Sequence, residues 1–364
     1  MNDSPLPPAE RMKGYLQKIA TGPRMSKDLT EAEAEDGLRL VLEGRVSPIR
    51  SALFLVAARM KLETIEENRG FWRALDRTTR RKRISRECLL QVAEAFDGFE
   101  RVPGLSFYAI PLIAHMGLSA YGHSALPLPP KHGITFEDLL QNHYRSGRGT
   151  PLALRARLIE EFGFGYLGTE QSHPLLESLR PLREEIVKRP MLATLEKMLQ
   201  PLTAARNLLA TSYFHPGYEV SMLEVARLSV FDRVLIGNGM EGGTLYGVHK
   251  PARLFIKKED GGQEERSFDL KTLYPPRPAQ EVSQAYAELK TVASSRDMVA
   301  RLGESGLKGE PGPAAALIAC QVSVWLWLLA RAADPATAYE QARGLLSGGR
   351  VYEALMRYLE ACRS

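Results

Sequence analysis

The chain has 364 residues, with 48 lysines and arginines against 43 aspartates and glutamates and a net charge of +5. Because single hydrophobic cores rarely grow beyond about 250–300 residues, this length favours two domains. Hydrophobic residues make up 44% and charged residues 25% of the sequence, a composition that excludes a disordered or fibrous protein. The mild excess of positive charge is compatible with a polyanionic partner but does not require one.

The first part of the chain predicts four short helices joined by tight loops. Thr30 with Glu33, and Thr64 with Glu67, have the spacing of capping boxes, which satisfy the free backbone amides at a helix start. The predicted helices cover residues 8–20, 30–44, 47–61 and 64–80. Together they indicate a small helical domain over residues 1–87.

After residue 86 the pattern changes to alternating strands and helices, which is typical of a parallel sheet. The predicted strands are residues 89–96, 118–121, 208–213 and 230–236, and the predicted helices are residues 107–116, 221–228, 314–333 and 335–361. Polar residues 257–266 predict a hairpin or loop, and Gly/Pro-rich residues 303–313 predict a connection. The predicted fold class is α/β: a small all-helical N-terminal domain and a larger α/β domain, residues 88–172 and 200–364, with a mainly parallel central sheet.

Cysteine usage and hydropathy favour a cytoplasmic protein. Cys88, Cys320 and Cys362 include no closely spaced pair, so neither a disulfide framework nor a CxxC site is indicated. The N-terminus has no apolar run of the signal-peptide type. Residues 314–330 are strongly apolar, but they contain Gln321 and Ser323 and are shorter than the roughly 20 residues of a spanning helix. We expect a buried core helix there, and no membrane association.

The common cofactor and metal motifs receive little support. Residues 237–242 match G-x-G-x-x-G, but residues 244–256 read as strand or loop where a dinucleotide site needs a helix. A glycine-rich turn is therefore the favoured interpretation. The seven histidines lack zinc-site spacing, and the sequence contains neither a P-loop nor a G-x-S-x-G motif.

A dense run of positive charge follows the fourth predicted helix. Phe71 and Trp72 lie beside it and are candidates for stacking on bases, although both also suit a core. The run predicts a surface for nucleic acid or another polyanion; the alternative is a solvated helix end. It begins at Arg73, and the predicted nucleic-acid-binding residues are Arg77, Arg80, Arg81, Lys82, Arg83 and Arg86.

Taken in order, the chain resembles the anthranilate phosphoribosyltransferase family. Residues 29–74 look like that family's helical dimerisation domain, and residues 117–133 are spaced like its G…KHGN…SSKSG stretch. Residues 173–201 are similar to its HPAM…PVRRELG-RT-FN-LGPL-NP segment. The resemblance implies a homodimer formed through the N-terminal helices, and a segment, residues 173–199, that packs on the helical domain.

The resemblance also implies a set of ligand contacts. His123 falls on the histidine of KHGN and Lys131 on the following lysine, while Arg183 matches the arginine that contacts anthranilate in the family and Arg189 the next arginine. Neither a catalytic residue nor a metal ligand is predicted. The predicted ligand- and phosphate-binding residues are His123, Lys131, Arg183, Arg189 and Ser106.

The departures from the family pattern concern the donor and its metal. The family binds phosphoribosyl pyrophosphate with a GTGGDG loop, whose glycines let backbone amides approach the phosphates. Residues 94–99 read EAFDGF instead, and Thr244 and Leu245 stand where the family has an Asp-Glu pair for magnesium. The resemblance thus implies Mg²⁺ and phosphoribosyl pyrophosphate, but their motifs are missing and no cofactor is predicted.

Three functional hypotheses follow. The first is a family member that has lost ordinary anthranilate transfer and acts as a homodimer binding single-stranded nucleic acid or another polyanion. The second is an active pentosyltransferase with an altered substrate, of the phosphoribosyltransferase or nucleoside phosphorylase type. The third is a non-catalytic scaffold with an empty cleft.

Overall fold

Four helices open the chain in the computed structural model, which describes residues 6–22 and 24–363. Both predicted capping boxes are confirmed: the side chains of Thr30 and Thr64 accept from the backbones of Glu33 and Glu67, and each glutamate side chain accepts from the threonine backbone. These reciprocal bonds fix the helix starts locally. The helices are α1 (Pro8–Ile19), α2 (Glu31–Leu42), α3 (Pro48–Lys61) and α4 (Ile65–Thr78).

A seven-stranded sheet forms the centre of the rest of the chain. The strands are β1 (Lys82–Arg83), β2 (Cys88–Ala93), β3 (Ser119–Ser124), β4 (Phe164–Gly168), β5 (Leu202–Thr203), β6 (Arg206–Ser212), β7 (Arg233–Gly237), β8 (Ala252–Lys257) and β9 (Gln263–Phe268). The strand order is β4-β3-β2-β6-β7-β8-β9. The strands from β4 to β7 pair in parallel, whereas the β7–β8 and β8–β9 pairs are antiparallel. β1 and β5 form a separate parallel pair. The predicted mainly parallel sheet and the predicted hairpin are confirmed.

Helices cover the two faces of this sheet. Leu90 and Val92 of β2 join one apolar cluster with the C-terminal helices, whereas Leu89 belongs to a cluster on the opposite face. The helices are α5 (Ser106–His115), α6 (Phe136–Asp138), α7 (Leu152–Phe162), α8 (Thr169–Ser172), α9 (Pro174–Glu177), α10 (Arg180–Ile186), α11 (Leu192–Leu195), α12 (Tyr218–Leu228), α13 (Leu270–Leu273), α14 (Pro276–Leu289), α15 (Arg296–Leu307), α16 (Pro313–Leu328), α17 (Pro335–Leu346) and α18 (Arg350–Ala361). Coverage of both faces is the usual arrangement around parallel strands.

Two predictions for the C-terminal region are wrong. Residues 303–313 are predicted to be a connection, but α15 extends through Gly303 to Leu307. A Cβ at Gly303 would lie 2.1 Å from the ring of Tyr108, so this glycine serves close packing of the helix and not a turn. Residues 335–361 are predicted to be one helix, but Gly349, with a φ of 68°, separates α17 from α18.

The apolar helix α16 lies inside the protein, as predicted. Leu317, Ile318 and Trp325 are fully buried, and the helix packs against α5, α14, α15 and α17. Across residues 6–22 and 24–363, no helix has the length and apolarity that crossing a membrane would require.

Residues 173–199 share a core with the N-terminal helices. Leu176, Leu192 and Leu195 belong to the same apolar cluster as Phe54 of α3 and Phe71 of α4. The cluster continues onto one face of the sheet, so the helices are held against the strand ends. The domain boundaries themselves stay a prediction.

Candidate ligand cleft

A cleft of about 460 Å³ lies where the carboxyl ends of the central strands face α3, α4 and the segment after α10. Loops after β2, β6 and β7 supply its floor, which is where ligands bind in open parallel sheets. Its walls are partly aromatic and its charged groups have both signs. The lining residues used below are Arg59, Phe96, Asp97, Arg101, Lys131, Arg189, Met191, Lys197, Tyr213, Phe214, Tyr218, Met222 and Glu241.

The loop after β2 presents a buried carboxyl group where the resembled family has glycines. Glu94 Oε1 accepts hydrogen bonds from Ser106 Oγ at 2.6 Å, from the backbone N–H of Thr244 at 2.7 Å and from Thr244 Oγ1 at 2.9 Å. Burial raises the pKa of Glu94. The hydroxyl groups of Ser106 and Thr244 and the backbone N–H of Thr244 are therefore engaged by a carboxyl group of the same chain. Ser106, predicted to bind phosphate, points its hydroxyl at this carboxyl group.

Two cations of the cleft are neutralised by carboxylates of the same chain. Arg189 Nε donates to Asp97 Oδ2 at 2.7 Å. Lys131 Nζ lies between Asp97, at 3.6 Å, and Glu241, at 3.5 Å. Glu241 also accepts from the backbone N–H groups of residues 100 and 101, both at 3.1 Å. The positive charge predicted to bind ligand phosphate is thus already paired.

Arg183 is also paired, and it is buried. Its two terminal nitrogens donate to the two carboxylate oxygens of Glu196 at 2.7 and 3.1 Å, with side-chain exposures of 4% and 1%. Such a bidentate pair fixes both side chains. Arg183 does not line the cleft. Its predicted contact with a ligand stays a prediction.

His123 is enclosed at the end of β3. Its Nε2 lies 3.2 Å from Ser172 Oγ, its ring packs edge-on against Phe96, and its side chain is fully buried. Burial lowers the pKa of His123 to about 3. The ring is therefore neutral at physiological pH and adds no positive charge to the cleft. Whether it contacts a ligand stays a prediction.

The family's magnesium position does not suit a metal ion in this chain. Thr244 donates its hydroxyl and its backbone N–H to Glu94, and Leu245 is buried in the main apolar cluster. Neither side chain supplies the carboxylate oxygens that Mg²⁺ prefers. Within the described ranges, there is no group of three or more His, Cys, Asp or Glu placed to hold a metal ion.

The G-x-G-x-x-G match forms a turn, in agreement with the favoured interpretation of the sequence. Gly237 ends β7, and a three-residue helical turn, Met240–Gly242, follows instead of a full helix. A Cβ at Gly239 would lie 1.7 Å from the backbone oxygen of Gly243, so the glycine is needed for the tight chain reversal.

The basic run lies outside the cleft, and three of its seven cations form ion pairs with carboxylates of the described residues. Arg73 and Arg77 form ion pairs with Glu31 and Glu35 of α2, and Arg81 pairs with Asp76. Arg86 donates to the backbone oxygen of Glu160. The remaining cations are exposed and, among the described residues, have no ion-pair partner. They are Arg80, Lys82 and Arg83.

A larger groove of about 780 Å³ lies at the opposite edge of the sheet, beside the starts of β2 and β3. Arg86 and Arg331 line it together with apolar side chains. Parallel sheets bind their ligands at the carboxyl ends of the strands, which makes the cleft and not this groove the candidate site.

Sequence reasoning missed several groups that shape the cleft. Lys197 and the aromatic side chains of Tyr213, Phe214 and Tyr218 line it, and Arg59 stacks over the ring of Tyr218 at 5.1 Å. The aromatic pair Tyr213-Phe214, at the end of the predicted strand 208–213, was the available signal for a site at that strand's end. The burial of the Lys197 side chain depends on packing between segments that are distant in the chain, and the sequence does not show this packing.

Comparisons with known proteins agree with this architecture. Residues 13–79 match the model of a glycosyl transferase family, helical bundle domain. An uncharacterized protein from Aquifex aeolicus is 28% identical over 68% of this chain and 73% of its own length. An anthranilate phosphoribosyltransferase from Rubrobacter xylanophilus is 25% identical over 97% of this chain and 98% of its own.

Solved structures show the same fold. The crystal structure of anthranilate phosphoribosyltransferase from Thermus thermophilus superimposes with a TM-score of 0.71 at 24% identity, covering 97% of this chain and 99% of that one. The Saccharomyces cerevisiae enzyme in complex with PRPP and Mg gives a TM-score of 0.77 at 13% identity, covering 96% and 97%. At these identities the likeness concerns the fold alone.

Proposed function

We propose that this chain, a phosphoribosyltransferase-like protein similar to the anthranilate phosphoribosyltransferases, no longer uses phosphoribosyl pyrophosphate and magnesium. The observation that supports this most is that the carboxyl group of Glu94 accepts hydrogen bonds from the hydroxyl of Ser106 and from the backbone N–H of Thr244. The donor's pyrophosphate would meet carboxyl groups there instead of free amides. Removing positive stabilisation from a leaving pyrophosphate strongly slows its transfer.

Product assays test this proposal directly. The full-length protein is incubated with Mg²⁺, phosphoribosyl pyrophosphate and anthranilate, and separately with nucleosides and inorganic phosphate. We expect no phosphoribosyl anthranilate and no released base. Turnover of phosphoribosyl pyrophosphate would contradict the proposal. Phosphorolysis of a nucleoside would not contradict the loss of the phosphoribosyl pyrophosphate site. It would identify the protein as a pentosyltransferase with an altered substrate.

We also propose that the exposed part of the basic run binds a polyanion such as single-stranded nucleic acid. Arg80, Lys82 and Arg83 are exposed without ion-pair partners among the described residues, and the β1–β5 pairing fixes two of them on a strand. Unpaired cations on a fixed backbone contact phosphates without first breaking an internal ion pair. Binding of this kind depends steeply on salt and little on sequence.

Charge reversal tests this surface. In the variant R80E/K82E/R83E we expect at least tenfold weaker binding to a single-stranded oligonucleotide at low salt. Because each lost phosphate contact removes about 0.7 from the slope of log K against log salt, the slope should fall by about 2. The matched control R277E/R350E/R357E reverses three exposed cations elsewhere on the α/β part of the chain. Equal losses in both variants, or no binding by the native protein, would refute a specific surface.

A homodimer through the N-terminal helices is proposed from an apolar stripe on α3. Ile49, Leu53 and Met60 recur at helical spacing with exposures of 73%, 52% and 68%. Large apolar groups aligned on one helix face favour a second copy of the same helix.

Sedimentation tests the dimer. We expect the native chain to sediment as a dimer and the variant I49D/L53D as a monomer, because two carboxylates would be buried without partners. V230D, at a residue 64% exposed on the loop before β7, is the control. A monomeric native protein, or a dimer that tolerates I49D/L53D, would refute this interface.

A further inference from the structure

Lys197 places a buried amine in the floor of the cleft, and among the described residues this amine forms no ion pair. Its side chain lines the cleft although the residue is only 7% exposed. Nζ donates to the backbone oxygen of Ser212, at the end of β6, at 2.5 Å. Unlike Lys131, Arg183 and Arg189, it has no carboxylate within ion-pair distance among the described residues.

Burial gives this amine a reactivity that an exposed lysine lacks. Desolvation lowers the pKa of Lys197 to about 8. A large share of the amine is therefore neutral, and nucleophilic, slightly above physiological pH. Nearby carboxylates oppose the shift and one guanidinium adds to it; the charged groups that face the amine are Glu196, Asp97, Arg189 and Glu94.

The surroundings of Lys197 define a ligand class. Phe96, Met191 and Met222 make the adjoining walls apolar, so water is partly excluded and a flat organic body is accommodated. Arg101 lines the same cleft, is exposed, and has no ion-pair partner among the described residues. It is therefore available for an anionic group at the opposite end of a ligand.

We propose that Lys197 forms a reversible imine with a small anionic aldehyde or ketone bound in this cleft. The neutral amine adds to the carbonyl carbon, and the carbinolamine then loses its oxygen as water, so that one C=N bond replaces one C=O bond. The reaction needs neither an oxidant nor a metal, and hydrolysis reverses it. Arg101 holds the anionic group of the ligand.

Borohydride trapping tests the proposal. Full-length protein is mixed with pyridoxal 5′-phosphate, reduced with sodium borohydride and mapped by peptide mass spectrometry. We expect one equivalent on Lys197, with a trapping rate that rises through pH 8, whereas exposed lysines react only nearer their usual pKa of about 10.4. Pyridoxal without the phosphate should be trapped several-fold more slowly, because it offers no anion to Arg101.

Two variants make the result specific. K197R keeps the positive charge but cannot form an imine, so the trapped equivalent should disappear, while K188R removes an exposed lysine of the same segment and should leave it. Label spread over exposed lysines, or a dominant site other than Lys197, would overturn the proposal. The peptide map of the native protein gives that answer even where K197R fails to fold.

The inference rests on the proposed function in one respect, since it takes the cleft to be free of a pyrophosphate donor. The two nevertheless fail separately. Absence of label on Lys197 overturns the imine and leaves the loss of the donor site standing. Turnover of phosphoribosyl pyrophosphate overturns the proposed function, whatever Lys197 does.

Discussion

Replacement of Arg183 by methionine is expected to lower the free energy of unfolding by about 3–5 kcal/mol. Its guanidinium and the carboxylate of Glu196 form a bidentate pair in which both side chains are almost fully buried. Removing the arginine leaves a carboxylate in a low-dielectric interior with no counter-charge. Denaturant unfolding followed by circular dichroism measures the loss.

The double variant R183M/E196M is the control for this prediction. It removes both charges together and fills a similar volume, so most of the lost stability should return. An R183M protein as stable as the native chain would contradict the pairing. In that case Arg183 would be available to a ligand, as its resemblance to the family's anthranilate-contacting arginine implies.

Replacement of Arg155 by methionine should destabilise the α/β part of the chain by a similar amount, about 3–5 kcal/mol. This arginine is fully buried and donates to the backbone oxygens of Tyr166 at 3.0 Å and Gly147 at 2.7 Å. Its Nη2 also lies 3.4 Å from the buried carboxylate of Glu137. One substitution would therefore leave two carbonyl oxygens and a carboxylate without this donor. Thermal unfolding measures the effect.

R157M, on the same helix, is the matched control because Arg157 is exposed. It should change the free energy of unfolding by no more than about 0.5 kcal/mol. Equal effects of R155M and R157M would show that burial of the arginine does not decide its contribution.

Features that depend on neighbouring residues were predicted well from the sequence. The capping threonines Thr30 and Thr64 act within one helical turn, and the alternation of strands and helices follows from local hydrophobic periodicity. Gly303 shows where this approach fails. The Gly/Pro-rich composition of residues 303–313 predicted a connection, but Gly303 lets α15 approach Tyr108, a contact between segments far apart in the chain.

The sequence predicted which side chains the candidate cleft contains, but not which of its charged groups form ion pairs with each other. The sequence shows that residues 94–99 lack the glycines of a phosphate loop, because that is a matter of which side chains are present. It does not show that Arg189 is held by Asp97, or Arg183 by Glu196. The choice of ion-pair partner is a tertiary property, and the excess of cations in a segment says little about which remain free.

The same limit applies to the basic run. Seven clustered cations predicted a dense phosphate-binding surface, with a solvated helix end as the alternative. In the structure, acidic residues of α2 and α4 neutralise Arg73, Arg77 and Arg81. Arg86 is partly buried and donates to the backbone oxygen of Glu160. The three exposed cations without an ion pair among the described residues, Arg80, Lys82 and Arg83, form a smaller surface that does not border the cleft.

Isothermal titration calorimetry with phosphoribosyl pyrophosphate, in the presence and absence of Mg²⁺, tests the central claim most directly. The account predicts no saturable heat that depends on Mg²⁺, because Glu94, directly after β2, accepts the hydrogen bonds of Ser106 and Thr244 and no carboxylate pair stands at residues 244 and 245. Saturable, Mg²⁺-dependent binding of one donor per chain would contradict it.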